Sequence, residues 1–332
     1  GAASLADVMA DVDEQVAAGD TTRFRPLPLG FDPLDDVLNG GLRPGELMVL
    51  GGPFGVGKTI LALQAARNVA AASEADAALY ICYEHDRVHL LSRLLCLESA
   101  LTLEPQDQLT LRKLSEMAYE SSGRVGLISR LRQARRYEKL LDSMASYAPR
   151  LTLAKASGDQ TRLEQIRQWA QLVAASGAQR ALVVVDYMQK IPVQREHIPP
   201  GMEHITYLAN GLKEIAMTLE LRILALAAAD RRGLQAARMR FHDLEGSAAI
   251  QYESDVGAVL NSKYEIVSRE HMVYNPAQAQ AMRNWVVLSI EKNRAGVNAV
   301  DVEFELDAAH FHLLPVGRFV RERLIDDKVV LA

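Results

Sequence analysis

Apolar residues recur at every third or fourth position at the start of the chain, with acidic residues between them. The apolar stripe consists of Leu5, Val8, Met9, Val12 and Val16. This spacing predicts an amphipathic helix, assigned to residues 1–20 as a linker or docking element. Such a stripe packs either on its own domain or on a neighbouring subunit, and the pattern is compatible with both. Residues 21–29, punctuated by prolines, are predicted to form an extended linker.

From residue 30 onward, short apolar runs alternate with amphipathic stretches. The apolar runs predict strands at residues 46–50, 77–83, 151–154, 181–187, 221–227, 255–260, 285–290 and 300–306. The amphipathic stretches predict helices at residues 60–67, 86–101, 161–175 and 202–220. Strands that alternate with helices indicate an α/β fold, with a mostly parallel, twisted sheet and helices on both faces.

The predicted domain spans residues 30–316 and contains one long stretch without strand signal. Residues 104–147 are rich in Arg, Leu and Glu, and they are predicted to form a helical insertion that covers one end of the sheet. Residues 317–332 are assigned to a C-terminal tail. A chain of 332 residues, 49% of them hydrophobic, is long enough to bury a sizeable core.

A glycine-rich loop stands between the first strand and the first helix of this domain. It reads G-x-x-x-x-G-K-T over residues 52–59. Glycines let successive backbone N–H groups point into one concavity, which suits a phosphate group. Lys58 is expected to reach the β- and γ-phosphates and Thr59 to bind Mg²⁺, so the predicted ligands are ATP and Mg²⁺. The predicted nucleotide-binding residues are Gly52, Pro53, Phe54, Gly55, Val56, Gly57, Lys58, Thr59 and Ile60.

Two carboxylates follow predicted strands at the sheet edge where α/β proteins bind ligands. Asp186 stands near the end of an apolar run, and we expect it to hold the water shell of the metal. Glu84 directly follows another strand and is the candidate general base for the attacking water, with a solvated loop glutamate as the alternative. Lys292 and Arg294 lie at a turn between two strands. There they either stabilise charge on the γ-phosphate in an oligomer or are simply solvated.

Composition refines this interpretation in two respects. The net charge of −5 gives no global basic signal, so contact with nucleic acid has to be local. Two loops, 192–201 and 231–240, are candidates, and the arginines of the second are Arg231, Arg232, Arg238 and Arg240. No aromatic residue interleaves them, which favours either a non-specific grip on the phosphates of single-stranded DNA or a solvated loop. Two cysteines, no signal peptide and no apolar run of 18 residues favour a cytoplasmic protein without a membrane partner.

Six of these segments, taken in order, resemble the C-terminal motor domain of the DnaB-type replicative helicases, within the RecA-like ATPases. The segments are PLGFDPLDDVLNGGLRPGELMVLGG, GGPFGVGKT, YEH, VVVDYMQKI, HDLEGSAAIQYESDV and EKNRAG. The resemblance implies a RecA-like P-loop ATPase fold and an ATP-hydrolysing ring of six identical subunits that acts on single-stranded DNA. The catalytic residues that it implies are Glu84, Lys58, Arg294 and Lys292, with Thr59 and Asp186 at the metal.

The chain departs from the family pattern at two places, and the first departure favours a different hypothesis. Ala227 and Ala228 stand where the family usually has a Ser-Gln pair that couples the γ-phosphate to the DNA side. Alanine side chains form no hydrogen bonds, so a regulatory or assembly ATPase that does not depend on DNA is the alternative, similar to circadian-clock and recombinase relatives. The family's primase-binding N-terminal domain is represented only by the linker helix, so a separate loader or N-terminal-domain partner is expected.

Overall fold

The structure is a computed structural model that describes residues 1–294 and 296–325. The helices are α1 Leu5–Ala17, α2 Leu34–Val37, α3 Lys58–Ala72, α4 Arg87–Thr102, α5 Leu111–Ser121, α6 Leu127–Gln133, α7 Glu138–Tyr147, α8 Leu163–Ala174, α9 His204–Leu219, α10 Ser247–Glu253, α11 Lys263–Ile266, α12 Arg269–Tyr274 and α13 Pro276–Ala281. The strands are β1 Leu47–Gly51, β2 Asp76–Cys82, β3 Leu151–Lys155, β4 Arg180–Asp186, β5 Arg222–Leu226, β6 Val256–Ser262, β7 Trp285–Asn293, β8 Val300–Asp307, β9 His312–Leu313 and β10 Arg318–Phe319. At each position where the hydrophobic pattern predicts a strand or a helix, the structure has an element of the same type.

One sheet organises the domain. Its strand order is β10-β8-β7-β6-β1-β5-β4-β2-β3, and β9 pairs with β8. Strands β1 to β6 pair in parallel, whereas β7, β8 and β10 join the sheet antiparallel. The register sets Leu50 opposite Leu226 on one side and Ala258 on the other. The predicted mostly parallel sheet is therefore confirmed, and the carboxyl ends of β1, β2, β4 and β5 meet at one edge.

Apolar side chains form a separate core on each face of the sheet. Successive residues of a strand point to opposite faces, so Leu50 joins one core and Val49 the other. Helices α3 and α4 cover the first core, and α8 and α9 cover the second. This arrangement confirms the predicted helices on both faces.

The residues predicted to form a helical insertion contain α5, α6 and α7. Their apolar faces build a third, smaller core against α4, which includes Leu95, Leu114, Leu131 and Leu140. The insertion therefore packs largely on a helix that already covers the sheet.

The predicted linker at residues 21–29 is in part a fixed portion of the domain. Leu27 and Leu29 are buried in the first core. The guanidinium of Arg180 donates to the carbonyl of Pro26, and that of the fully buried Arg222 donates to the carbonyl of Arg25. Buried guanidinium groups need such acceptors, and they hold this segment against the sheet. Two leucines and two carbonyl contacts therefore anchor the predicted extended linker to the domain.

Helix α1 projects from this anchored segment. Ser4 caps its N-terminus, and the side chains of Ser4 and Asp7 form a reciprocal capping box. None of its residues is buried, and Leu5 and Met9 are 75% and 64% exposed. The apolar stripe therefore does not pack on its own domain.

The end of the described chain also lies on the sheet. β10 pairs with β8, and the backbone N–H of Ile325 donates to the carbonyl of Ile266. Residues 326–332 of the predicted tail lie outside the described residues. In the described part of the chain, no helix has the length and apolar character needed to cross a membrane.

Candidate active site

The glycine-rich loop joins β1 to α3 at the carboxyl edge of the sheet. Gly52 has a φ of 155°, and a Cβ at this position would lie 2.4 Å from the carbonyl oxygen of Leu260. Gly57 is left-handed, with a φ of 115°, and forms the N-cap of α3. The N-terminus of α3 therefore faces the loop, and the two together form a concavity suited to an anion.

A cavity of about 330 Å³ lies against this loop. The predicted nucleotide-binding residues that line it are Gly52, Phe54, Gly55, Gly57, Lys58, Thr59 and Ile60. Pro53 and Val56 do not line the cavity, and Val56 is buried in the first core instead. The ring of Phe54 is 77% exposed at the rim.

Lys58 folds back on the loop. Its Nζ donates to the carbonyl oxygens of Gly52 at 2.6 Å and Pro53 at 2.9 Å. Burial lowers the pKa of Lys58 to about 8, and the nearby Asp186 carboxylate opposes this change. The ammonium group thus occupies the mouth of the loop, where phosphate oxygens could replace the carbonyls.

Asp186 ends β4 and lines the same cavity as the loop. The Thr59 hydroxyl donates to Asp186 Oδ2 at 2.9 Å, and the Tyr80 hydroxyl donates to the same oxygen at 2.7 Å. Burial raises the pKa of Asp186, although these two hydrogen bonds oppose the change. Among the described residues, no three His, Cys, Asp or Glu side chains gather as a metal cage. A hydroxyl joined to a carboxylate instead suits Mg²⁺, which keeps several waters and completes its shell with phosphate oxygens.

Glu84 follows β2 and also lines the cavity. Its side chain is 45% exposed, and its carboxylate lies 3.9 Å from Nζ of Lys190. Because its side chain is exposed, its carboxylate can approach a water molecule at the rim.

Arg93 is a cavity residue that the sequence patterns did not single out. It lies on α4 with its Nε donating to Nε2 of His89, and its guanidinium stacks over the ring of Phe311 at 4.8 Å. Arg93, His85 and Phe311 all line the cavity. The signal was the spacing of His89 and Arg93, four residues apart in a predicted helix, which sets both on one helix face, whereas His85 precedes α4.

A family model described as "DnaB-like helicase C terminal domain" matches residues 26–313, which include every group described above. The chain belongs to this family. The expected resemblance to the helicase motor domains is confirmed, and with it the assignment to a helicase-type ATPase domain.

Three comparisons define how far the similarity extends. The "Replicative DNA helicase DnaB" of Geobacillus stearothermophilus is 25% identical over 236 residues, which cover 70% of this chain and 46% of that protein. The solved "ATPase Domain of G40P" has a TM-score of 0.69 at 17% identity, covering 94% of this chain and 99% of that one. A solved "DnaB-Like Replicative Helicase", determined with its primase interactions, has a TM-score of 0.64 at 16% identity, covering 97% and 68%. The chain thus spans about half the length of the curated helicase, and the structural likenesses support the RecA-like fold.

The departure from the helicase family at Ala227 and Ala228 falls inside the site. Both alanines line the cavity. The side-chain amide of Gln189 holds the backbone of Ala228 from both sides: Ala228 N donates to Gln189 Oε1 at 3.0 Å, and Gln189 Nε2 donates to the Ala228 carbonyl at 3.2 Å. The backbone just after β5 is therefore tied to the segment that follows Asp186. The residues after β5 that line the cavity at this point, 227–229, are alanines and contribute no polar side chain to it.

Lys292 lies within β7 and Arg294 directly follows this strand, at the edge of the sheet opposite the carboxyl edge that holds the loop. Lys292 pairs with Gly257 near the amino end of β6, and Arg294 N donates to the carbonyl of Asp255. The guanidinium of Arg294 donates to Asp255 Oδ1 at 2.9 Å and to the carbonyl of Tyr252 at 2.7 Å. Lys292 Nζ donates to the carbonyl of Gln251, and burial together with the charge of Arg294 lowers the pKa of Lys292. The two cations do not approach the glycine-rich loop of their own subunit.

The predicted nucleic-acid loop divides into an exposed and a docked half. Arg231 and Arg232 are exposed. Arg238 is only 2% exposed, because its guanidinium donates to Asp301 Oδ1 at 3.1 Å, to Ser289 Oγ and to the carbonyl of Ile325.

Arg240 also faces inward, since its Nε donates to Glu291 Oε1 at 3.1 Å. Acids on β8 and β7 thus pair with Arg238 and Arg240, which were predicted to grip phosphates, and these contacts fix the loop on the sheet. These acids are far away in the sequence, so the arginine pattern alone did not reveal the pairing.

Proposed function

We propose that this chain is the ATP-hydrolysing motor of a homo-oligomeric ring of six subunits that acts on single-stranded DNA. The observation that carries the proposal is that the phosphate loop, the Thr59–Asp186 pair and Glu84 surround one cavity. The proposed ligands are ATP and Mg²⁺, and a separate loading protein is a proposed partner.

Each residue of the cavity has a distinct proposed task. The loop N–H groups and Lys58 bind the phosphates, with Lys58 exchanging its two carbonyl partners for phosphate oxygens. Bound Mg²⁺ neutralises charge on the phosphates; Thr59 is its proposed ligand, and Asp186 holds its water shell. Glu84 orients the attacking water and accepts its proton. Arg93 adds a positive charge to the cavity from within the same subunit.

A ring supplies the groups that one subunit lacks. Lys292 and Arg294 lie at the edge opposite the loop, so a head-to-tail neighbour offers them a nucleotide to act on. The exposed stripe of α1 likewise has no partner within the described part of its own chain. Both features support an oligomer in which each subunit touches the next one.

Deleting residues 1–20 is expected to shift the protein toward monomer, measured by light scattering at several concentrations. The exposed stripe of α1 is the element that would dock on a neighbour. Leu5→Ser with Met9→Ser should weaken the oligomer in the same direction, whereas Asp11→Ser with Glu14→Ser on the exposed acidic positions should weaken it less. An unchanged oligomer after the deletion would remove α1 from the interface.

The exposed half of the basic loop is the proposed contact with single-stranded DNA. Arg231 and Arg232 lie in the chain between Ala229 and Leu234, which both line the cavity. Two guanidinium groups without aromatic neighbours provide a sequence-independent grip on phosphates.

Single-stranded DNA is expected to stimulate ATP hydrolysis, and Arg231→Ala with Arg232→Ala should weaken DNA binding for every sequence tested. The slope of log affinity against log salt should fall by about 1.4, from about 0.7 for each lost phosphate contact. Arg124→Ala with Arg132→Ala, two exposed arginines of the insertion, is the control with the same change in net charge. Hydrolysis that ignores DNA in the wild-type protein would contradict the motor.

One observation favours a second function, a regulatory or assembly ATPase that does not depend on DNA. Ala228 contributes no polar side chain to the cavity, and its backbone is held by Gln189. Such a site hydrolyses ATP without a side-chain hydrogen bond that couples the γ-phosphate to the loop after β5. Indifference to DNA together with a nucleotide-dependent change of oligomeric state would support this function over the motor.

A further inference from the structure

Tyr80 is a polar group set deep in an apolar core. It lies in the middle of β2, is fully buried, and belongs to the first core beneath α3. β2 pairs with β4, so that Tyr80 stands opposite Val184, and Cys82 stands opposite Asp186. The side chain therefore spans two residues along the sheet, about 7 Å, to reach the carboxylate at its edge.

The hydroxyl of Tyr80 completes an asymmetric set of contacts around Asp186. Tyr80 and Thr59 both donate to Oδ2, at 2.7 and 2.9 Å. Among the described residues, no hydrogen bond reaches Oδ1 and no basic side chain forms an ion pair with this carboxylate. Oδ1 is thus the atom left to receive a hydrogen bond from water bound to a cation, while Oδ2 is fixed.

A second buried tyrosine shows what a purely structural version of this contact looks like. Tyr147 is 1% exposed and donates to Glu98 Oε2 at 2.9 Å, and neither residue lines the cavity. Glu98 is neutralised by Arg67, whose Nη2 lies 2.7 Å from Oε1. Asp186 accepts a buried phenol in the same way, but Lys58 and Arg93, which act on it through their charge, form no ion pair with it. A buried carboxylate that lacks an ion-pair partner is costly unless a cation binds there.

From these contacts we infer that Tyr80 is a positioning residue for the metal: it locks the rotamer of Asp186 so that Oδ1 faces the water shell, and it thereby selects Mg²⁺ over Ca²⁺. The inference rests on the proposed ATP site. Mg²⁺ demands nearly ideal octahedral geometry, whereas Ca²⁺ accepts flexible and irregular ligand sets. A carboxylate whose Oδ2 is fixed by two hydroxyl donors favours Mg²⁺, the ion with the stricter geometry. Outer partners of metal sites typically contribute 10- to 100-fold to metal affinity.

The test is Tyr80→Phe, which removes only the hydroxyl. Binding of a fluorescent ATP analogue is measured while Mg²⁺ or Ca²⁺ is titrated, and again in EDTA. We expect the Mg²⁺ concentration for half-maximal binding to rise about 10- to 100-fold. The Ca²⁺ value should shift less, and binding in EDTA should stay unchanged. Tyr147→Phe is the matched control and should leave both metal titrations as in the wild-type protein.

Two further measurements distinguish a positioning role of Tyr80 from a folding defect in the Tyr80→Phe protein. Thermal unfolding without nucleotide checks that Tyr80→Phe remains folded. On an Asp186→Asn background, Tyr80→Phe should have no additional effect on the Mg²⁺ titration, because the hydroxyl acts only through this carboxylate. Equal losses for Mg²⁺ and Ca²⁺, an unchanged Mg²⁺ value, or additive losses in the double variant would overturn the inference. A wild-type protein whose nucleotide binding ignores Mg²⁺ would instead overturn the proposed ATP site as well.

Discussion

Glu84→Gln protein is expected to bind ATP as tightly as the wild-type protein and to hydrolyse it about 10²-fold or more slowly, as is typical when a general base is removed. The amide retains the size of the side chain and one accepting oxygen, but it cannot take a proton from water. Glu84 is half exposed at the cavity rim, so the substitution disturbs no buried contact. Equilibrium titration with ATP and single-turnover hydrolysis measure the two steps separately.

Two controls make this result specific to the cavity. Glu104→Gln changes an exposed glutamate outside the cavity and should hydrolyse ATP normally. Lys190→Ala removes the cation 3.9 Å from Glu84 and should affect turnover far less than Glu84→Gln, because Lys190 does not line the cavity. Wild-type turnover in Glu84→Gln would return Glu84 to the alternative interpretation, a solvated glutamate in a loop.

Local patterns predicted the parts of the site that are contiguous in the chain. The loop with Lys58 and Thr59 follows directly from a strand, a glycine-rich turn and a helix, and each of these leaves its own periodicity. Asp186 and Thr59 were each assigned to the metal from their own surroundings in the sequence, and a hydrogen bond of 2.9 Å joins them in the structure. The parallel sheet itself followed from apolar runs alternating with amphipathic helices.

Contacts between distant segments could not be predicted from these patterns. Arg238 appears in the sequence as one of four similar arginines, but its burial depends on Asp301, 63 residues away. Tyr80 is likewise one apolar position in a buried strand until the register of β2 and β4 brings it to Asp186. Leu27 looked like part of a linker because prolines flank it, yet pairing with Leu42 places it in the core. Pairing partners, rather than residue types, decide such positions.

Arg294→Ala is expected to leave ATP binding largely intact and to slow hydrolysis by about 10³- to 10⁵-fold, the contribution of arginines supplied in trans in phosphoryl transfer. Within one subunit Arg294 stands level with the start of β1, while the phosphate loop follows its end. The five residues of β1 separate them by on the order of 15 Å. We therefore expect the arginine to act on the nucleotide of the next subunit, where a guanidinium can share two hydrogen bonds with phosphate oxygens.

The fold is expected to tolerate this substitution. Arg294 is 49% exposed at its side chain, and its partner Asp255 keeps two other contacts, from Lys213 Nζ at 2.7 Å and Leu47 N at 2.8 Å. An inactive Arg294→Ala protein with a normal melting temperature thus indicates lost chemistry rather than unfolding.

Mixing two inactive proteins decides whether Arg294 acts between subunits. Arg294→Ala subunits keep a good phosphate loop, and Lys58→Ala subunits, expected to have lost nucleotide binding or hydrolysis, keep the arginine. In a mixed ring, some junctions pair the arginine of a Lys58→Ala subunit with the intact loop of an Arg294→Ala neighbour. Hydrolysis should recover at those junctions, in proportion to their frequency as the mixing ratio changes. A mixture that co-assembles yet stays as inactive as each parent contradicts action in trans, as does normal hydrolysis by Arg294→Ala alone. Either result would leave Arg294 as a surface cation whose partner is Asp255.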